Sequence, residues 1–209
     1  MHAGTLSLHA QEVLARLGAS SVFTDAYLVG GTALALQLGH RKSYDFDFCT
    51  NKSLKAVEVS EKLSNVGKFI VDILAPPHTL IGEFEGVKVS LFAYNYPLLD
   101  PFLSFAGVSL ASVRDIAAMK LTAICGRAKK RDYMDIYIIA RRYSFEEQFG
   151  WYDKKFGVLG NNAYTLIKAL GYFEDAENDD VPEMLLPVTW EQVKTFLFTE
   201  SMRLAKAML

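Results

Sequence analysis

The segment VGGTALALQLGHRKSYDFDFCT, residues 29–50, contains the features that decide the fold. The apolar residues AYLV before Gly30 predict a buried strand. The two glycines interrupt that strand, and a helix of about two turns is predicted over Thr32–Leu38, with Gly39 suited to its C-terminal cap. The following SYDFDF alternates polar and apolar residues, which predicts a half-buried strand. The segment therefore predicts strand, glycine turn, helix and strand in immediate succession.

The two aspartates of this segment are predicted to share one face of the second strand. Residues two apart on a strand project to the same side, so Asp45 and Asp47 lie about 6.5–7 Å apart along the chain. Phe46 and Phe48 then point into the core. Two neighbouring carboxylates repel each other electrostatically, and a divalent cation bound between them offsets that repulsion. One or two carboxylates with phosphate oxygens and water are common ligands of Mg²⁺, so the pair is a candidate metal site.

The glycine turn supplies the other half of a candidate nucleotide site. Glycines allow the backbone N–H groups of Gly30 and Gly31 to approach a ligand closely, and a helix N-terminus favours phosphate. Ser43 lies two residues before Asp45 and is expected to offer its hydroxyl on the same face. A lone Gly-Gly is usually a turn, and a lone Asp-x-Asp is usually a solvated strand face. Their combination in this order favours a functional site.

Size and composition set broad limits on the function. The 209 residues are 51% hydrophobic and 22% charged, which is enough to fill a core, and the net charge of -2 argues against broad, sequence-independent binding of nucleic acid. The two cysteines fit neither a metal site nor a disulfide framework, which favours a reducing environment. The first residues do not resemble a signal peptide, and no apolar run is long enough to span a membrane. We therefore expect a soluble, cytoplasmic protein with no membrane partner.

The rest of the sequence predicts a mixed α/β front half and a helical back half. The front half contains further helices over Leu6–Leu17 and Ser53–Leu63, a strand over Phe69–Leu74, and a hairpin of Leu80–Phe84 with Val87–Tyr94. The predicted helices of the back half are two within residues 111–143, followed by Phe145–Phe156, Asn161–Phe173 and Trp190–Met208. The acidic segment EDAENDD, residues 174–180, is predicted to be an exposed loop. We divide the chain into an α/β core, 1–100, and a helical region, 101–209.

The string GGTALALQLGHRKSYDFDF resembles the AbiEii/AbiGii-type toxin branch of the nucleotidyltransferase superfamily. The pattern of that branch is Gly-Gly-Thr-Ala-Leu, then His-Arg, then Ser-x-Asp-x-Asp. The resemblance implies a nucleotidyltransferase-like mixed sheet with flanking helices and a helical C-terminal half. It also implies that the nucleotide contacts include Thr32 and Arg41, in addition to Gly30, Gly31 and Ser43.

A second block, DIAAMKLTAICGRAKKRDYMDIYII, residues 115–139, resembles the later lysine motif and Arg-Asp-x-x-Asp motif of the same branch. This resemblance assigns Lys120 and Asp132 to catalysis and Arg127 to nucleotide binding, with Asp135 as a further matching position. For Lys120 the alternative is a surface lysine whose charged end reaches solvent. For Asp132 the alternative is a helix cap or a pair with Arg131.

One position departs from the superfamily pattern. Many nucleotidyltransferases carry a third carboxylate on a later strand, where it binds metal or acts as general base. Ser90 occupies the corresponding place in VKVSLFAY, and serine cannot replace a carboxylate at neutral pH. Asp72 is an alternative if its strand lies beside that of Asp45, and Asp132 is another. The resemblance leaves catalytic competence open at this point.

The function implied by the resemblance is that of a toxin of a type IV toxin–antitoxin or abortive-infection system. Such a protein transfers a nucleotide from a nucleoside triphosphate to an acceptor hydroxyl, with Mg²⁺ or Mn²⁺ bound to Asp45 and Asp47. Some members of the branch act on tRNA 3′ ends, so a tRNA or other RNA acceptor and a cognate antitoxin are the implied partners. Two alternatives remain open: a non-catalytic nucleotide-binding module, and an interaction protein in which the acidic strand is structural.

Overall fold

The computed structural model describes residues 1–207 and separates the chain into two compact units. The first unit is Met1–Ser112, and the second begins at Val113. Within the described residues, no helix is both long and apolar enough to cross a membrane. The first unit holds the whole sheet, and the second is helical, so the fold class predicted from the sequence is confirmed.

A mixed seven-stranded sheet forms the first unit, in the order β3-β4-β5-β2-β1-β7-β6. The central strand β2 runs antiparallel to β1 and parallel to β5, and β1 runs parallel to β7. Three α-helices accompany the sheet. The elements are α1 (Leu8–Ala19), β1 (Tyr27–Val29), α2 (Gly30–Leu38), β2 (Phe46–Thr50), α3 (Ala56–Val66), β3 (Phe69–Ala75), β4 (Thr79–Phe84), β5 (Val87–Ala93), β6 (Leu103–Phe105) and β7 (Val108–Leu110).

Local sequence signals account for most of these elements. The phenylalanines of β2, Phe46 and Phe48, are fully buried, whereas Asp47 between them is partly exposed, as the alternation predicted. The predicted β4–β5 hairpin is present, and its turn uses positive φ angles at Glu85 and Gly86. Helix α2 ends at Gly39 in the left-handed conformation, which confirms the predicted cap.

Two parts of the first unit differ from the sequence-based expectation. Strands β6 and β7 have three residues each and were not predicted, although β7 pairs with β1 inside the sheet. Both strands belong to the first unit, which ends at Ser112. Helix α3 begins at Ala56 rather than Ser53, so its N-cap residue is Lys55, whose side chain makes no capping hydrogen bond.

Five helices pack around one apolar core in the second unit, over its described residues. Helix α6 has the predicted bounds and begins with a capping box formed by Ser144 and Glu147. The helix predicted over Trp190–Met208 is present to Ala207, and Met208 lies outside the described residues. The helices are α4 (Val113–Gly126), α5 (Lys130–Ala140), α6 (Phe145–Phe156), α7 (Leu159–Leu170) and α8 (Trp190–Ala207).

The acidic segment 174–180 is more than the exposed loop that was predicted. It contains a 3₁₀ turn, Glu174–Ala176, whose last residue is fully buried. Helix α5 lacks a local side-chain cap, and Asp179 accepts a 2.9 Å hydrogen bond from the backbone N–H of Lys130 at the helix start. The buried ammonium of Lys130 donates to the carbonyls of Glu177 and Asp179 at 3.1 and 2.6 Å. The segment therefore caps α5 from a distance in sequence.

Candidate functional site

The turn between β1 and α2 places a carboxylate against a glycine. Gly30 has φ +67°, a conformation that glycine adopts at little cost. A Cβ atom built on Gly30 would lie 3.0 Å from Oδ2 of Asp47. The pairing of Val29 with Asp47 in the antiparallel β1–β2 ladder explains this proximity. The Asp47 carboxylate therefore lies beside the first residue of α2.

The N-terminus of α2 keeps its backbone donors uncapped by side chains. Val29 is the N-cap residue, and no side-chain hydrogen bond caps the helix. The first N–H groups of a helix have no partner within it, and together with the helix dipole they favour an anion. In the first unit, a helix end that suits a phosphate thus adjoins a carboxylate that suits a cation.

The second glycine contacts an arginine rather than open space. A Cβ atom on Gly31 would lie 2.3 Å from Nη2 of Arg41, so a larger residue would require this guanidinium to move. Arg41 is buried and donates a 2.9 Å hydrogen bond to the carbonyl of Lys42. The ammonium of Lys42 donates to the carbonyl of Gly4 at 2.7 Å. The Arg41 side chain, predicted to contact nucleotide, is packed inside the first unit.

The hydroxyls of Thr32 and Ser43 are buried and bonded to protein atoms. Thr32 Oγ1 lies 2.8 Å from Ser43 Oγ and also forms a short hydrogen bond to the carbonyl of Asp45. The backbone N–H of Ser43 donates to the carbonyl of Thr5 at 3.0 Å. The expectation that the Ser43 hydroxyl is presented to a ligand therefore differs from its observed position.

Asp45 and Asp47 are both partly exposed, and between them lies the fully buried Phe46. Asp47 belongs to β2, and Asp45 immediately precedes that strand. Among residues 1–207, no group of three or more His, Cys, Asp or Glu side chains is arranged to hold a metal ion. The Asp47 carboxylate beside a helix end that favours phosphate, with Asp45 two residues away, still suits the way Mg²⁺ is commonly held, by one or two carboxylates with phosphate oxygens and water.

The strands on either side of β2 place no third acid opposite Asp47. In the ladders, Asp47 pairs with Val29 on β1 and with Ser90 on β5, and Ser90 is buried. Asp72 lies on the edge strand β3, separated from β2 by β4 and β5. At about 4.8 Å per strand, the separation is about 14 Å. The condition under which Asp72 was an alternative third acid, a strand beside that of Asp45, is therefore not met.

The second unit contains a buried cluster of ionic groups around Lys120. Its ammonium contacts Asp132 Oδ1 and Asp135 Oδ2, each at 2.6 Å, and both aspartates are fully buried. Arg127 donates to both oxygens of Asp132, at 2.8 and 3.0 Å, while its own side chain is half exposed. Lys120 is therefore not a surface lysine. Two of its three protons are already directed to aspartates.

The environment of Asp132 keeps that carboxylate ionised. Burial alone would raise its pKa, but the charge of Lys120 and the hydrogen bonds and charge of Arg127 outweigh burial and lower the pKa below its ordinary value. Its two oxygens accept three hydrogen bonds from these cations. A carboxylate in this state orients cations well and accepts a further proton poorly. The arrangement therefore suits a positioning role better than that of a general base.

A second buried ion pair in this unit was not anticipated from the sequence. Lys155 on α6 contacts Asp115 on α4 at 2.7 Å, and both side chains are almost completely buried. The two residues are 40 positions apart, and no local spacing signals their pairing. Their contact depends on how α4 packs against α6, so only the tertiary structure identifies it.

Comparison with known proteins assigns the chain to a family. The family model described as "Nucleotidyl transferase AbiEii toxin, Type IV TA system" matches residues 12–91 and 93–202. The chain belongs to the AbiEii nucleotidyltransferase toxin family. An uncharacterised protein of Aquifex aeolicus is 34% identical over 196 residues, which is 89% of this chain and 91% of that protein. The resemblance inferred from the two sequence motifs is confirmed.

Solved structures share the fold of this AbiEii family member. JHP933 from Helicobacter pylori has a TM-score of 0.56 and 19% identity, with 97% of this chain and 94% of that chain covered. MenT4, a nucleotidyltransferase toxin from Mycobacterium tuberculosis, has a TM-score of 0.56 and 17% identity, with 96% and 87% covered. At these identities the likeness supports the nucleotidyltransferase-like fold alone.

Proposed function

We propose that this AbiEii family member is an enzyme that transfers a nucleotide from a nucleoside triphosphate to an acceptor hydroxyl. The observation that carries the proposal is the position of the Asp47 carboxylate beside Gly30 at the start of α2. This position brings together a group that favours a divalent cation and a helix end that favours phosphate. A metal-bound triphosphate carries a cation that suits the carboxylate and phosphate groups that suit the helix N-terminus. Its chemistry therefore fits both Asp47 and the start of α2.

The residues of the first unit have distinct tasks in this proposal. Asp45 and Asp47 would hold Mg²⁺ or Mn²⁺. The backbone N–H groups of Gly30, Gly31 and Thr32 would bind phosphate oxygens, and the buried guanidinium of Arg41 lies beside Gly31. When bound, the cation would reduce the repulsion between phosphate charge and the incoming oxygen.

The ionic cluster of the second unit, considered by itself, is proposed to bind an anionic group. Arg127 is the more accessible cation for this purpose, because its side chain is half exposed, whereas Lys120 is buried between its two aspartates. Asp132 would hold both cations in place. The acceptor is proposed to be an RNA, such as the 3′ end of a tRNA, and a cognate antitoxin is the proposed protein partner, both by analogy with the family.

A second candidate function is nucleotide binding without transfer. The observation that favours it is the identity of residue 90. Ser90 pairs with Asp47 across the β2–β5 ladder, at the position where an acidic residue would be next to Asp47. The low pKa of Asp132 adds to the difficulty of identifying a general base. This candidate keeps the metal and nucleotide contacts and lacks only the chemical step.

Labelling and binding experiments with two matched variants separate these functions. Asp45→Asn should abolish both Mg²⁺-dependent thermal stabilisation by nucleoside triphosphates and transfer of α-labelled nucleotide to a tRNA pool. Asp72→Asn, on the exposed edge strand, is the control and should retain both. Binding without transfer in the parent protein would favour the second candidate. Undiminished nucleotide binding by the Asp45 variant would reject the proposed metal site, and no binding by the parent would favour an interaction protein.

A further inference from the structure

Thr32 of α2 makes hydrogen-bond contacts with the segment that contains Asp45. Its side chain is 2% exposed, so its hydroxyl is not open to bulk solvent. Its Oγ1 contacts two groups of the segment that leads into β2, Ser43 Oγ and the carbonyl of Asp45. Asp45 is thus held at its backbone, while its carboxylate is part of the proposed metal site.

The number of available protons determines the direction of these hydrogen bonds. A hydroxyl has one proton, and a backbone carbonyl can only accept. Thr32 must therefore donate to the Asp45 carbonyl. The 2.8 Å contact with Ser43 then requires the Ser43 hydroxyl to donate to Thr32 Oγ1. While this contact persists, Ser43 has no hydroxyl proton left for a phosphate oxygen.

The segment before β2 is also held from its other side. The backbone N–H of Ser43 donates to the carbonyl of Thr5, which lies in the short 3₁₀ turn Ala3–Thr5. Ser43 and Asp45 are alternate residues, and they are bonded to two different parts of the first unit. The Thr32 hydroxyl joins this segment to the helix whose N-terminus adjoins Asp47.

We propose that Thr32 is a positioning residue, which fixes the Asp45 backbone against α2 so that Asp45 and Asp47 hold a cation together. In this role Thr32 acts through its hydroxyl, and Ser43 completes the arrangement as a donor to Thr32. The inference rests on the proposed function for the identity of the cation site. The structural part, that the hydroxyl of Thr32 immobilises the Asp45 segment, can be tested separately.

The test compares Thr32→Val, which removes the hydroxyl at nearly constant volume, with Thr32→Ser, which retains it. Thr50→Val is a matched control, because Thr50 on β2 is similarly buried and donates a 2.7 Å hydrogen bond to the carbonyl of Asp25. One readout is hydrogen exchange of the backbone amides of residues 43–47. The other is the Mn²⁺ concentration at half-saturation in the presence of ATP, followed by the electron paramagnetic resonance of free Mn²⁺.

Loss of a hydrogen bond of ordinary strength, about 1 kcal/mol, corresponds to about a fivefold change in an equilibrium constant. We expect Thr32→Val to accelerate exchange in residues 43–47 and raise the Mn²⁺ midpoint by about this factor, and Thr32→Ser to stay near the parent. Thr50→Val should leave both readouts unchanged. Unchanged exchange in Thr32→Val, or equal changes in Thr50→Val, would overturn the inference.

Two further comparisons keep the inference testable. If Thr32→Val does not fold, the comparison uses Thr32→Ala and Thr32→Ser, which differ from each other by the hydroxyl alone. Equal hydrogen exchange of residues 43–47 in these two variants would refute the inference. If the parent protein does not bind Mn²⁺ and ATP, the proposed function fails, and hydrogen exchange alone then decides whether Thr32 holds the Asp45 segment.

Discussion

Replacing Lys120 with methionine should destabilise the second unit strongly, because the ammonium lies between two fully buried aspartates. Both contacts are 2.6 Å long, and Asp132 and Asp135 have no exposed surface. Removing one partner from a buried ionic group typically costs about 3–5 kcal/mol. With an m-value of about 2 kcal/mol/M, a loss of 3 kcal/mol lowers the urea midpoint by about 1.5 M.

Lys194 provides a matched control on α8. It also contacts two acids, Glu177 at 2.7 Å and Glu191 at 2.9 Å, but their side chains are 44% and 77% exposed. Exposed ion pairs contribute about 0–1 kcal/mol, so Lys194→Met should have a small effect. Trp151 and Trp190, the two tryptophans of the chain, both lie in the second unit, so their fluorescence follows its unfolding.

The effect of Lys120→Met should also depend on pH. In the parent, the lowered pKa of Asp132 contributes stability that is present above its unfolded value of about 3.9 and is lost as the pH falls through the folded value. Without Lys120, Arg127 alone opposes the effect of burial, so the pKa of Asp132 is higher in the variant than in the parent, and the variant loses less stability as the pH falls. The two stability curves should therefore converge as the pH falls below about 4. Equal urea midpoints for Lys120→Met and Lys194→Met at pH 7 would refute this account.

Two further predictions concern the glycine turn and the distant cap of α5. Gly31→Ala should cost about 1–3 kcal/mol in thermal unfolding, because its Cβ would overlap the guanidinium packed there, whereas Gly150→Ala on α6 meets no atom within 4 Å and should be neutral or stabilising. Equal losses in the two glycine variants would contradict this account. Asp179→Ala removes the acceptor at the start of α5 and should cost about 1 kcal/mol in urea unfolding followed by tryptophan fluorescence. Asp175→Ala should cost nothing, and a similar loss there would argue against a specific cap.

Regular patterns made most of the fold predictable from the sequence. The alternation around Phe46 and Phe48 identified β2, and the Glu85-Gly86 turn identified the β4–β5 hairpin. Strands β6 and β7 escaped prediction because three residues are too few to show a period of two. The position of Asp72 relative to Asp45 could not be predicted, because the order of strands in a sheet depends on long-range pairing, which local patterns do not contain.

The candidate site was predictable as a set of residues but not as a set of contacts. The spacing of Asp132 and Asp135 indicates a shared face of α5, yet their pairing with Lys120 depends on the packing of α4 against α5. Similarly, Thr32 and Ser43 were identified as candidate ligand contacts, whereas the structure bonds their hydroxyls to each other. Residue types and spacing identify polar groups, and tertiary packing determines which groups already have protein partners.

The glycine-glycine-threonine sequence satisfies three separate requirements of folding. Gly30 leaves space beside the Asp47 carboxylate, Gly31 leaves space for the Arg41 guanidinium, and Thr32 binds the carbonyl of Asp45. Each requirement would persist in a descendant that had lost all enzymatic activity, because the same backbone must still fold. The presence of this tripeptide in a related sequence therefore indicates the same fold. Enzymatic activity in such a relative has to be established by assay.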